Sequence, residues 1–116
     1  MICSFIMPEL PQDEPSKEKL KLLLFNLGEM LKDLPIIIDL YNWRDDVEYV
    51  MEEIKSLCPY IYNRLEDLVS RASQLAALHV NALDSDAPPN ELEQSRINYF
   101  GQIAFVNSEI NAIKSL

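Results

Sequence analysis

Glycine occurs only twice in 116 residues. So few positions without a Cβ exclude a turn-rich β architecture. They also exclude the glycine-built loops that cradle phosphates or present a nucleophile: no Gly-x-x-x-x-Gly-Lys, Gly-x-Gly-x-x-Gly or Gly-x-Ser-x-Gly run is present. One histidine and two cysteines, Cys3 and Cys58, are too few for a tetrahedral zinc site made of Cys and His alone. A di-iron bundle site needs Glu-x-x-His on two helices, but position 76, three before His79, is Ala76 and there is no second His. The Asp84–Asp86 stretch lacks the length, the turn glycine and the closing Glu of a calcium loop. No metal and no cofactor is therefore expected.

Basic residues are scarce as well. Ten Lys and Arg stand against nineteen Asp and Glu, for a net charge of -9 and a pI near 4.4. Direct nucleic-acid binding is excluded as an expectation, because that affinity comes from cations displacing counterions from phosphates. No stretch approaches the ~18 apolar residues needed to cross a bilayer. The start, Met1-Ile2-Cys3-Ser4-Phe5-Ile6-Met7, has no basic region and too short an apolar run for a signal peptide. A soluble, cytoplasmic protein with no membrane contact is expected, its cysteines read as thiols rather than a disulfide.

What is present is periodic. Hydrophobic residues are 48% of the chain, and they recur in alternating steps of four and three, the 3.5-residue repeat of packed helices. Leu20, Leu24, Leu27, Leu31 and Leu34 form one stripe. Ile36, Leu40, Trp43, Val47, Val50, Ile54 and Leu57 form a second. A third runs Ile61, Leu65, Leu68, Ala72, Leu75, His79 and Ala82. A fourth runs Leu92, Arg96, Tyr99, Ile103, Val106, Ile110 and Ile113, broken only at Arg96. No segment sustains the period of two that a strand requires. The fold class is all-α: an antiparallel four-helix bundle over residues 16–116, preceded by an extended arm over 1–15 that carries the prolines Pro8, Pro11 and Pro15.

Turn chemistry marks the boundaries. Pro15 and Ser16 suit a first helical turn. Asp33 before Pro35 reads as the N-cap of helix two, and Asn90 with Glu93 reads as a capping box for helix four. Pro59 reads as a tight turn between helices two and three, although the stripe steps straight through it from Leu57 to Ile61. Cys58 is expected to pack at that helix end.

Two surface features offer a function. Asp45, Glu48, Glu52 and Glu53, with Tyr49, make an acidic outer surface on helix two; residues 35–58 hold six acids and two bases, hence -4. Such a surface repels counterion-poor partners of its own sign and pairs with Lys and Arg. On helix four, Phe105 is off the core stripe, and Gly101, Ser108 and Ala112 are small residues at helical spacing around it. They form a face suited to self-association as a homodimer. Leu22, Phe25 and Leu78 are likewise off-stripe.

The expected function is a small acidic, non-enzymatic protein-binding module (an adaptor, regulator or inhibitor) docking a protein partner with a basic surface. Three alternatives follow from the same residues: a DNA-mimicking inhibitor of a nucleic-acid-binding protein, a structural subunit of a larger assembly, and a small helical enzyme using His79. The last lacks a neighbour on its own helix, since Ser73 and Ser70 lie six and nine residues from His79. A buried, hydrogen-bonded His79 is the expectation there.

Overall fold

The computed structural model describes residues 10–11 and 13–115, with the side chain of Ile37 outside that set. Residues 1–9 and 12 of the expected arm lie outside the described residues. Four α-helices are found among the described residues, and no strand: α1 (Glu14–Leu31), α2 (Leu40–Leu57), α3 (Pro59–Asp84) and α4 (Pro89–Lys114), with a 3-10 turn at Ile37–Asp39. Cross-helix bonds fix the directions. Lys19 pairs with Glu53 at 3.3 Å while Trp43 reaches Met30. Arg64 pairs with Glu109 while Gln102 reaches Leu68. In both pairs one index rises as the other falls, so neighbours are antiparallel. The helices close a ring in chain order, with α1 against α2 and α4 but not α3, and α3–α4 as the most extensive contact.

The core is built mostly from the stripes read from the sequence, with Leu34, Trp43, Leu57 and Leu68 half-buried at its edge and the off-stripe Val69 and Val80 buried in α3. Leu24, Val47, Leu65 and Ile103, one from each helix, are all buried. Met51, Ala76 and Leu23 fill in beside them. The break between α2 and α3 is a single residue. Cys58 leaves helical geometry at φ -156, ψ 89, and its amide still bonds the carbonyl of Ile54 at 2.8 Å. Pro59 then opens α3 at the one position where a missing N–H costs nothing. Cys58 itself is fully buried.

Three boundary expectations are corrected. Helix one starts at Glu14, so residues 14 and 15 belong to it rather than to an arm; Asp13 is its cap, accepting from the Ser16 amide at 3.0 Å. That bond holds the Asp13 carboxyl below its ordinary pKa. Helix two does not begin after an Asp33 cap. Pro35 disfavours helical geometry in the residue before it, and the chain passes through the 3-10 turn before α2 starts at Leu40. Ile36, the first member of the second stripe, is consequently 58% exposed. Asn90 is not a cap either: Pro88 is, and Pro89 sets the first helical φ. Glu93 turns to Arg96 instead, in a two-bond pair at 3.1 and 3.2 Å.

The end of α1 shows why its helix stops cleanly. The Leu31 carbonyl would bond the amide of residue 35, which is proline and has none. The Tyr99 hydroxyl donates to it from α4 at 2.8 Å. The Trp43 indole N–H donates to the Met30 carbonyl at 2.9 Å. The two rings lie 6.4 Å apart, and Phe100 meets Tyr99 edge-on at 5.1 Å. This aromatic junction ties three helices together and leaves α1's last carbonyls satisfied.

Candidate functional site

A shallow groove of about 440 Å3 runs between α2 and α3. Its floor is apolar, with Val47, Met51 and Val69, all buried. Its rims carry Glu48 and Glu52 from α2 and Glu66 from α3. Residues 48 and 52 are four apart, hence stacked on one helix face. The short turn at Cys58 folds α3 back so that Glu66 comes to the same opening.

Tyr62 sits where the three acids converge. Its hydroxyl donates to Glu66 Oε2 at 3.3 Å. Burial pushes the phenol's pKa up, and the negative charges of Glu66, Glu52 and Glu48 push it further. The Lys55 ammonium lies over its ring, 5.1 Å from the centroid. Arg44 also lines the groove. Glu48, Glu52 and Glu66 are exposed, and among the described residues none of them closes an ion pair with a Lys or Arg.

The acidic set expected on helix two is therefore split. Glu48 and Glu52 line the groove. Asp45 and Tyr49 are exposed but outside its lining. Glu53 turns to the opposite flank, where Lys19 of α1 neutralises it. Glu66 was not anticipated, because it belongs to another helix and only the return of the chain brings it in. On α4, Gly101, Phe105, Ser108 and Ala112 are all exposed, Phe105 at 63%.

His79 is 8% exposed. Its Nδ1 lies 2.6 Å from Ser95 Oγ, across the α3–α4 contact. The serine hydroxyl donates to the Leu92 carbonyl of its own helix at 2.9 Å. The Ser95 hydroxyl thus bridges the imidazole and its own helix, and which partner donates across the His79 contact follows the imidazole tautomer. Burial lowers the His79 pKa, and the nearby Arg96 charge lowers it further. The pair thus joins two helices as a neutral hydrogen bond. Ser95 stands three residues after Leu92, which is where a serine bonds back to its own helix, but nothing local to α3 identifies it.

Among the described residues no group of three or more His, Cys, Asp or Glu is arranged to hold a metal ion. No helix there is long and apolar enough to cross a membrane. Compared with protein-family models, curated proteins and solved structures, the chain matches none.

Proposed function

We propose that this chain is a non-enzymatic protein-binding module whose α2–α3 groove receives a Lys- or Arg-bearing segment of a basic partner. The observation that carries this reading is the convergence of Glu48, Glu52 and Glu66, from two helices, on one open groove with an apolar floor. Three carboxylates at one opening, none of them ion-paired among the described residues, offer an inserted cation its counter-charge. The stem of a Lys or Arg side chain fits the floor of Val47, Met51 and Val69 while its head meets the rim. A concave site favours an inserted side chain over the convex row of charges that a DNA mimic presents to a flat basic surface. The partner's other contacts set its identity; the groove sets its charge.

The test uses the full chain and a synthetic arginine-rich helical peptide, titrated by fluorescence anisotropy at low and high salt. The triple variant Glu48→Gln, Glu52→Gln, Glu66→Gln is compared with Asp84→Asn, Asp86→Asn, Glu91→Gln, which changes net charge equally but at the α3–α4 turn. Exposed charge pairs contribute ~0.2–1 kcal/mol each, so the groove variant weakens binding on the order of tenfold. The control variant changes it little, and wild-type binding falls as salt rises. Equal losses in the two variants would show that net charge alone draws the peptide, and the groove reading would be wrong.

A further inference from the structure

We propose that the outward face of α4 pairs with the same face of a second copy of this chain, in a symmetric antiparallel dimer. Helix α4 is apolar on two sides. Tyr99, Ile103, Val106, Ile110 and Ile113 are buried inward. On the opposite side Ile97, Gly101, Ala104, Phe105, Ser108 and Ala112 are exposed, with Ile97 at 50%.

Charge selects the occupant. Between residues 97 and 113 the only charged side chain is Glu109, and Arg64 holds it toward α3 at 2.6 Å. Four turns of outward helix therefore carry no charge, in a chain whose net charge is -9. Two such copies repel wherever their carboxylates meet. This strip is where neither copy presents one.

The spacing selects the arrangement. Positions 101, 105, 108 and 112 step by four, three and four, the repeat of a paired-helix seam. In an antiparallel pair with its two-fold axis between 106 and 107, Phe105 faces the partner's Ser108, and Gly101 faces the partner's Ala112. The Phe105 layer then sets a large side chain against a small one, and the Gly101 layer sets two small ones together. Under a two-fold each contact occurs twice, so the face is complementary to itself. A parallel pair would stack Phe105 on Phe105 and Gly101 on Gly101, leaving voids between phenyl layers. A Cβ built on Gly101 meets nothing within 4 Å in its own chain, so the approach is open.

The strip is ~22 Å long and ~10–12 Å wide. It buries a few hundred Å2 per copy, below the ~800 Å2 per partner of a standard stable interface. The dimer is accordingly weak, forming between micromolar and millimolar concentration. Salt strengthens it by screening the repulsion of like-charged copies, the opposite of its effect on a basic ligand in the α2–α3 groove.

The test is sedimentation equilibrium of the full chain from micromolar to millimolar concentration. The mass is expected to rise from 13.4 kDa toward twice that value, and to rise further with added salt. Ser108→Arg sets a bulky charge against the partner's Phe105 and holds the chain monomeric; its circular dichroism stays helical because the site is exposed. Register is read by disulfide trapping in a Cys3→Ser background. An equimolar mixture of Gly101→Cys and Ala112→Cys chains cross-links, and neither variant alone does, because each position lies ~16 Å along the axis from its own copy. A wild-type monomer at every concentration, or unchanged association of Ser108→Arg, would overturn the dimer. Self-cross-linking of each variant alone would overturn the antiparallel arrangement.

Discussion

Two buried polar contacts sit one turn apart on α4 and use different chemistry. At Tyr99 a phenol donates to the Leu31 carbonyl; at Ser95 a hydroxyl shares a hydrogen bond with an imidazole from α3. The phenol is fully buried, and burial, with the Asp33 carboxylate, drives its pKa well above the ordinary range. It stays neutral at any physiological pH. Burial, with the nearby Arg96 charge, lowers the imidazole's pKa below its ordinary value. The first contact ends a helix irrespective of solution conditions. The second joins two helices under a condition, and the condition is pH.

The sharpest way to break this contrast is at Tyr99. Replacing it with Ala empties a space among Trp43, Phe100 and α1 and costs about 3–5 kcal/mol in urea unfolding. Tyr99→Phe keeps the ring but leaves the Leu31 carbonyl without a donor, since Pro35 has none to give; the loss is about 1–3 kcal/mol. Neither loss varies between pH 5 and pH 8 (about the range in which histidine alone titrates).

At His79 the dependence is the point. The unfolded imidazole titrates near 6.5, and the folded one lower. Above the unfolded value both states are neutral, and the contribution is complete. As pH falls through it, the unfolded chain takes up a proton that the folded chain resists, so stability drops until the folded pKa is passed. His79→Gln should lower the melting temperature at neutral pH and flatten the acid slope that this residue adds. A slope unchanged in the variant would place the acid sensitivity on carboxylates such as Asp13. Ser95→Ala costs less, about 0.5–1.5 kcal/mol by the same unfolding measurement.

The smallest expected effect lies at the turn that makes the α3–α4 contact possible. Asp86 is left-handed at φ 55, and its turn is closed by the Ala87 amide on the Ala82 carbonyl at 3.0 Å. Asp86→Gly removes the Cβ penalty there and should stabilise by a few tenths of a kcal/mol to ~1 kcal/mol. A clear loss would mean that the Asp86 side chain stabilises the turn by a contact of its own.

Most of the fold was legible because burial repeats. Leu20 to Leu31, Val47 to Ile54 and Ile103 to Ile113 each announce one helix face, and all of these stripe positions are buried. The caps were legible in chemistry but not in place. Asp33 and Asn90 are good cap residues, yet Pro89 already opens α4 before Asn90, and α2 starts only at Leu40, after the 3-10 turn that follows Pro35. The candidate site was half legible. Glu48 and Glu52 share a helix face, and four-residue spacing says so. Glu53 looked equivalent until Lys19 was seen to reach it, and Glu66 and Ser95 gave no local sign of their partners.

The sequence by itself determined the number of helices, their inward faces and the surplus of negative charge, since these follow from periodicity and composition within each segment. Only the tertiary structure decided which acids share an opening, which one is neutralised, and what His79 touches. Those pairings join residues from different helices. Their distances depend on how the helices return against one another, a quantity that no single segment encodes.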